Sequence, residues 1–137
     1  GSEFSSLSTP RHDEVSYFKE YNRIVNTLDV KTETLPTAFS RLQKQFGFQR
    51  PFLKLDTQGH DVEIVKHGTS VLPLFVGLQS ELAIRKVYTG SVDFREALRI
   101  YEECGFRLSA FVPNNSGNFP FLVETDCIMV RDDKSLL

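Results

Sequence analysis

The chain has few cysteines, no block of basic residues and no long apolar run, and each absence excludes a class of protein. The net charge of -2 and the lack of a Lys/Arg-rich stretch argue against a nucleic-acid partner. No apolar run can span a bilayer and no signal-peptide pattern opens the chain, so we expect a cytoplasmic protein without a membrane partner. Cys104 and Cys127 lack redox or metal-ligand spacing, which predicts reduced, buried thiols rather than a disulfide.

The residues that are present have the composition of a globular domain. Forty per cent of the 137 residues are apolar and 25% are charged, which is enough for one hydrophobic core. We predict a polar loop or arm over residues 1–20, broken by Pro10, and a single α/β domain over residues 21–137. The first four residues are either native or a cloning scar.

Apolar spacing predicts alternating strands and helices. In the first half of the chain we expect a strand over roughly 24–34, a helix from Pro36 to Gly47, a strand from Phe52 to Asp56, a helix around Asp61 to His67 and a strand from Val71 to Leu82. An irregular connection over residues 83–91 then leads to a helix from Asp93 to Cys104 and a strand from Phe106 to Val112. A turn-rich loop over residues 113–118 and a strand from Phe121 to Arg131 complete the prediction. The near-continuous apolar run after Val71 favours a strand covered on both faces. The alternation implies a mainly parallel sheet with right-handed crossovers, finished by an antiparallel hairpin.

Polar residues stand where two predicted strands end. Asp56 closes one strand and is followed by Thr57 and Gln58, while Gln79 and Glu81 close the next. Ligands of α/β proteins bind at the carboxyl ends of parallel strands, so we expect these side chains to share a site. Two carboxylates at adjacent strand ends can also shift each other's pKa values.

Each of these side chains also has a structural interpretation, and the sequence leaves both open. Asp56 can cap the following helix, and Gln58 can be a solvated turn residue. Lys54 interrupts an apolar strand, and a buried ammonium group needs a partner such as Glu81, in a pair that is as readily structural as catalytic. Glu81 can instead pair with Arg85.

Two further groups of residues suggest binding sites. His60, Asp61 and Glu63 suggest a metal, but no further ligand of the right kind is evident, and we favour a solvated helix start without a metal. Tyr88, in the irregular connection, is a candidate for binding an anionic or sugar-like substrate, since loops often carry such roles. An ordinary surface residue explains its position equally well.

The sequence from Phe52 onward resembles the signature of the FkbM-type methyltransferases. The run FLKLDTQGH, followed by VKHG, is similar to the family's KIDTQG…VLKGA pattern. VGLQSEL with VYTG is similar to VQLELS…LYEG, and EAL, GF and the closing TDCIMVR match in order and spacing. SEFSSL near the start resembles the family's SEFSSLL, which favours a native opening. The resemblance covers nearly the whole chain.

The resemblance implies an S-adenosylmethionine-dependent enzyme that O-methylates a sugar, polyketide or related hydroxyl compound on a Rossmann-like sheet. The position of Asp56 faces the methyl group in that family. The residues then expected at the site are Asp56, Gln58 and Glu81 for catalysis, Lys54, Gln79 and Tyr88 for the substrate, and Asp56 with Thr57 for the cofactor. No metal is expected.

Two departures from the family pattern bear on activity. His60 stands where the family has Ala or Tyr. The family's upstream DVGANxG turn and ribose-binding acid do not occur in these 137 residues, and there is no GxGxxG-like run. We therefore expect the C-terminal half of such a domain, inactive alone. The alternative is a non-enzymatic binding module that pairs with a second copy or another chain through an open sheet edge at Phe52 to Asp56, unless the arm or the strand after Tyr21 shields it.

Overall fold

A computed structural model describes residues 5–13, 15, 19–20, 23–113 and 121–132. Over these ranges the chain forms helices α1 (Leu35–Phe46), α2 (Asp61–His67) and α3 (Phe94–Glu103), and strands β1 (Phe52–Lys54), β2 (Gly77–Ala83), β3 (Phe106–Pro113) and β4 (Glu124–Arg131). A 3₁₀ turn, Leu72–Leu74, precedes β2. No helix in these ranges is long and apolar enough to cross a membrane. Most of the predicted loop at 113–118 and the first four residues lie outside the described residues.

The four strands form one open mixed sheet in the order β1-β2-β4-β3. β1 and β2 pair in parallel, whereas β4 is antiparallel to both of its neighbours, β2 and β3. The α/β class and the antiparallel hairpin of β3 and β4 are confirmed. The prediction of a mainly parallel sheet is wrong. β4 lies between β2 and β3 and is antiparallel to both, which leaves only one parallel pair among the described strands.

All three helices pack on one face of the sheet. Leu78 and Leu82 of β2 and Cys127 and Met129 of β4 point to that face and are fully buried. The helices contribute buried side chains to the same core: Phe39, Val62, Val65, Ala97, Ile100 and Tyr101. On the other face Gln79, Glu81 and Ala83 are half-buried, and no described helix covers them. The prediction that the strand is covered on both faces is therefore wrong.

The sequence signals at the ends of α1 and α3 are confirmed. The Thr34 side chain caps the first turn of α1, Pro36 stands in that turn, and Gly47 ends the helix with a φ of 65°. The Asp93 side chain accepts a backbone N–H of the first turn of α3. Gly105 ends that helix with a φ of 83°, in the left-handed region that favours glycine.

Two predicted strands differ in the structure. Residues 23–34 have no regular secondary structure, and their large apolar side chains are 62–86% exposed. Their alternation resembles a strand, but a strand needs a neighbour for its hydrogen bonds and no described segment supplies one. The strand predicted from Val71 begins only at Gly77, because Pro73 lacks an N–H and fixes its φ in the 3₁₀ turn.

The N-terminal arm lies on the connection between β2 and α3. Pro10 and Tyr88 form an antiparallel bridge, and the Arg11 N–H donates to the Val87 carbonyl at 2.7 Å. Val15 is buried in a small apolar cluster with the same connection. The arm residues described here do not pair with β1, so the outer edge of β1 has no strand neighbour in the described part of the chain.

Both cysteines are free thiols, as predicted. Cys127 is buried on β4, where burial raises the pKa of its thiol to about 12. Cys104 ends α3 and is only partly buried, and burial raises the pKa of its thiol as well. The thiolate is the nucleophile and the metal ligand, so burial disfavours the reactive form of both side chains.

Candidate functional site

The carboxyl end of β1 lies beside the second half of β2, and together they carry one hydrogen-bonded group. The Gln58 side-chain amide donates to Asp56 Oδ1 at 3.2 Å and to Glu81 Oε2 at 3.1 Å. Lys54 Nζ lies 3.1 Å from Asp56 Oδ2. A single amide therefore brings together the three residues that were predicted to be catalytic, from two strand ends that are distant in sequence.

The backbone of Gln58 is unusual. Its φ of 51° lies in the left-handed region that non-glycine residues rarely adopt, and Gly59 follows with a φ of 104°. Two such residues in succession turn the chain sharply between β1 and α2. The Gln58 carbonyl accepts a hydrogen bond from the Ser6 hydroxyl at 3.1 Å, so the arm also contacts the turn. A strained conformation of this kind costs about 1–3 kcal/mol and is commonest at functional sites.

Two structural interpretations of the strand end are wrong. Lys54 is exposed and pairs with Asp56 rather than being buried against Glu81, because its side chain lies on the uncovered face of the sheet. Asp56 does not cap α2, whose N-cap residue is His60 and whose first turn has no side-chain cap. The Lys54 ammonium, and then the Gln58 amide, instead hold the pKa of the Asp56 carboxyl below its usual value.

Asp61 is buried, with 5% of its surface exposed, and the prediction of a solvated helix start is wrong for this residue. Asp61 Oδ1 accepts the N–H and the hydroxyl of Thr57, at 3.0 and 2.5 Å. Asp61 Oδ2 accepts the Ser80 hydroxyl at 2.8 Å and the Glu81 N–H at 3.2 Å. Ser80 also bonds the Tyr101 hydroxyl at 2.7 Å. The carboxylate thus joins the turn after β1 to the end of β2 and to α3.

This network limits the contacts that Thr57 can form with a cofactor. Its N–H and its hydroxyl proton are both directed to Asp61, so a cofactor contact from this residue has to use an oxygen lone pair. The sequence held a partial signal for Asp61, since an acidic residue in the first turn suits a helix N-terminus. Its burial depends on a distant strand and had no local signal.

Gln79 takes part in a contact across the sheet. Its amide donates to Asp126 Oδ2 at 2.6 Å, and Asp126 lies opposite Glu81 in the pairing of β2 with β4. The residue predicted to bind substrate is therefore held by β4, on the uncovered face of the sheet. This face carries a concentration of acidic side chains: Asp56, Glu81, Glu124 and Asp126.

A small pocket opens beside these strand ends. It lies between the turn at Gly59, the connection at Tyr88 and Ser91, and the start of β4 at Glu124, and has a volume of about 30 Å³. A cavity of this size holds a water molecule or two, or one functional group. It is far too small for a whole cofactor or a sugar ring.

Two polar groups in this pocket lack partners. Tyr88 is 2% exposed, and no described residue hydrogen-bonds its hydroxyl. Burial, and then the charges of Glu124 and Glu81, raise the pKa of Tyr88 to about 12, so the hydroxyl keeps its proton. The carboxyl of Glu124 forms no hydrogen bond or ion pair with the described residues, and burial, and then Asp56 and Asp126, raise its pKa to about 7.

Sequence reasoning missed Glu124 and placed Tyr88 only as a loop residue. Glu124 enters the site because it lies opposite Ala83 where β4 pairs with β2. That pairing joins segments about forty residues apart in the chain, and the local sequence carries no sign of it.

The residues considered for a metal site point to different partners. His60 Nε2 lies 2.9 Å from the Ser8 hydroxyl, Asp61 is used within the fold, and Glu63 is exposed and pairs with Lys66. In the part of the chain that the structure describes, no group of three or more His, Cys, Asp or Glu side chains has the arrangement of a metal site.

No protein-family model, curated protein or solved structure matches this chain. The methyltransferase resemblance and the fold family that it implies therefore stay predictions.

Proposed function

We propose that this chain is part of an S-adenosylmethionine-dependent methyltransferase that acts on a hydroxyl group of a sugar or natural-product-like small molecule. One observation supports the proposal most directly. The Gln58 amide holds Asp56 and Glu81 together at the carboxyl ends of two parallel strands, which is where α/β sheets bind their ligands.

The charge of this region suits the cofactor. S-adenosylmethionine supplies a methyl group on a positively charged sulfur, and a nearby carboxylate attracts such a charge. Asp56 suits this role because Lys54 and Gln58 keep its pKa low, so the carboxylate stays ionised at neutral pH. Gln58 fixes the position of that carboxylate relative to Glu81, and alignment is what a methyl displacement chiefly requires.

The rest of the cofactor finds less support among these residues. The adenosine and methionine ends need a close backbone approach, which glycine turns provide, and the sequence has no such run. The pocket of about 30 Å³ does not accommodate them either. We therefore propose that this chain is inactive alone and that a further segment or a partner chain completes the cofactor site.

Calorimetry with two cofactor forms tests this proposal. S-adenosylmethionine and S-adenosylhomocysteine differ by the methyl group and its positive charge, so the acidic strand ends should favour the first. We expect saturable binding in the millimolar range, and Asp56→Asn should weaken S-adenosylmethionine about fivefold, the equivalent of one exposed charge contact. Glu63→Gln, which removes an exposed carboxylate from α2, is the matched control and should change nothing.

Equal affinity for the two cofactor forms, or no binding of either, would contradict the proposal for this chain. The same holds if Asp56→Asn and Glu63→Gln behave alike, because the strand-end carboxylate would then have no special role.

The open edge of β1 favours a second function, a non-enzymatic module that pairs with a second copy of this chain. Phe52 on this strand is 47% exposed, and no described strand adjoins its outer side. However, the strand has three residues and carries Lys54, and short length and an exposed lysine both protect an edge from pairing.

Hydrogen exchange separates the two functions. The Leu55 N–H bonds to Gln79, and strand amides alternate in direction, so the Lys54 N–H points to the open side. The methyltransferase proposal expects fast exchange of this amide at every protein concentration. Protection that increases with concentration would favour the pairing module.

A further inference from the structure

The pocket beside the strand ends contains one unsatisfied buried polar atom, the Tyr88 hydroxyl, which has no hydrogen-bond partner among the described residues. Leaving a buried polar group unsatisfied costs about 1–3 kcal/mol, and buried polar atoms nearly always have a partner. The partly buried carboxyl of Glu124 lines the same pocket. An orphaned hydroxyl and a carboxyl in one pocket indicate that a polar ligand atom belongs there.

We propose that the pocket receives the acceptor hydroxyl of the substrate, with Tyr88 donating a hydrogen bond to its oxygen and Glu124 accepting its proton. This inference rests on the proposed methyltransferase function and adds the identity of the base. An alcohol group accepts one hydrogen bond and donates another, so a single hydroxyl satisfies both residues. The volume of about 30 Å³ accommodates a hydroxyl and its carbon while the rest of the substrate stays outside.

The contrast between two carboxylates identifies the base. Asp56 is exposed, and the nearby Lys54 and Gln58 lower its pKa, so it is a weak base that remains charged. Burial raises the pKa of Glu124 to about 7, which suits proton transfer at neutral pH. Carboxylates whose environments push their pKa values apart take different roles, one as a fixed charge and the other as the acid or base.

The proposed step balances in atoms and charge. A completed cofactor site would supply the methyl group: the substrate oxygen would take it from the sulfonium, and the sulfur would keep the electron pair of the broken carbon–sulfur bond and leave as a neutral thioether. The hydroxyl proton passes to the Glu124 carboxylate, which becomes a neutral acid. Tyr88 keeps its own proton throughout, because its pKa is raised to about 12, and acts as a positioning residue.

Other occupants of the pocket make different predictions. A bound water would satisfy Tyr88 and Glu124 without any substrate. An ammonium group would suit Glu124 and Glu81 but would leave the Tyr88 O–H without an acceptor. If the occupant is a substrate hydroxyl, binding should depend on both Tyr88 and Glu124 and should be seen only with compounds that carry hydroxyl groups.

An NMR titration of the whole chain, isotope-labelled at the glutamate carboxyl groups, tests the inference. The probe is methyl α-D-glucopyranoside, and tetrahydropyran is the control ring without hydroxyl groups. We expect a saturating shift of the Glu124 signal with the glucoside alone. Tyr88→Phe, which keeps the ring and removes the hydroxyl, should weaken binding about tenfold. Glu103→Gln, which changes an exposed carboxylate on α3, is the control variant.

The pH dependence of probe binding adds a second readout. A carboxylate accepts a stronger hydrogen bond than a neutral acid, so affinity should rise as pH increases through about 7 and Glu124 ionises. Glu124→Gln should remove that dependence, whereas Tyr88→Phe should keep it. The other titratable groups that line the pocket or raise the pKa of Glu124 stay unchanged in both variants: Asp56, Asp61, Glu81 and Asp126.

Several results would overturn the inference. They are an equal response to tetrahydropyran, a pH dependence that survives Glu124→Gln, and the absence of any shift with the glucoside, which would leave only a bound water. The titration contains no cofactor, so it is independent of the methyltransferase test. Glucoside binding without cofactor binding would reject the methyltransferase alone, and the reverse result would reject the hydroxyl pocket alone.

Discussion

The two ends of the sheet differ in how fully their polar groups are hydrogen-bonded. At the end where β4 finishes, the Arg131 guanidinium donates to the backbone carbonyls of Phe75 at 3.3 Å and Cys104 at 2.7 Å, and also to that of Leu72. Its Cζ atom lies 3.8 Å from the centroid of the Phe106 ring. One cation therefore satisfies three carbonyls from two separate segments, the 3₁₀ turn before β2 and the end of α3, and the chain completes this end by itself.

At the other end, where β4 begins, the polar groups are only partly satisfied. Asp61 accepts four hydrogen bonds and fixes the local structure, but Glu124 and the Tyr88 hydroxyl have no partner among the described residues. Asp61 and Arg131 thus hold the fold together, whereas the side chains of Tyr88 and Glu124 form no hydrogen bond that does so. Four variants test this division, and the expected effects decrease from the first to the last.

Arg131→Met should have the largest effect. It leaves three carbonyls without their charged donor while keeping an apolar contact with Phe106, and we expect a loss of about 3 kcal/mol in the free energy of unfolding. Urea denaturation measures this loss. Arg107→Met is the control, because that guanidinium pairs with Asp132 at the surface and should contribute under about 1 kcal/mol. Similar losses in both variants would mean that the end of the sheet is not held by Arg131.

Asp61→Asn should come next, with a loss of about 2 kcal/mol. The amide replaces one accepting oxygen with a donor that faces N–H and O–H groups, so part of the network is lost. The amides of Thr57 and Glu81 should then exchange faster with solvent. A stability within about 0.5 kcal/mol of the parent would show that the buried carboxylate is dispensable.

Glu124→Gln should stabilise the protein at alkaline pH. The carboxyl binds its proton more tightly in the folded chain, with a pKa of about 7 against an ordinary value of 4.5, so stability falls as pH rises between these values. Removing the charge should add about 1–2 kcal/mol near pH 8 and almost nothing near pH 4.5. Paired denaturation curves at the two pH values measure this change, and a pH-independent difference would contradict it.

Asp56→Asn should have the smallest effect and the opposite pH dependence. Its folded-state pKa is lowered, so any stability that it contributes is present above about pH 4 and is lost as pH falls through the folded-state value. The side chain is exposed, and screening by solvent limits this to under about 0.5 kcal/mol. Its larger effect should appear in S-adenosylmethionine binding, and a variant that changes stability more than binding would assign Asp56 to the fold.

Much of the fold follows from local signals. The cap at Asp93 and the left-handed glycines at 47 and 105 can be predicted from short stretches of sequence, and the helices that begin or end at these residues are confirmed. The strand predicted over 24–34 failed because β-propensity depends on a neighbouring strand. Pro73 broke the next strand, and its apolar neighbours hid that local signal.

The candidate site likewise contains residues that the local sequence predicts and residues that depend on distant contacts. Asp56 and Gln58 stand at the end of one predicted strand and Glu81 near the end of the next, and the expectation that these side chains lie close together is confirmed. The burial of Asp61 and the presence of Glu124 were missed, because the first depends on Ser80 and the second on the insertion of β4 between β2 and β3. Such contacts arise only after the chain has folded.

The exposed segment over residues 23–34 also has a consequence for proteolysis. It contains Arg23 and Lys31, so trypsin can cut between the arm and the domain without opening the core. The described part of the arm would remain as a bound peptide, held by its backbone bonds to residues 87–89. The connection at residues 87–89 would then be covered by an exchangeable peptide, and a synthetic arm peptide would compete for that surface.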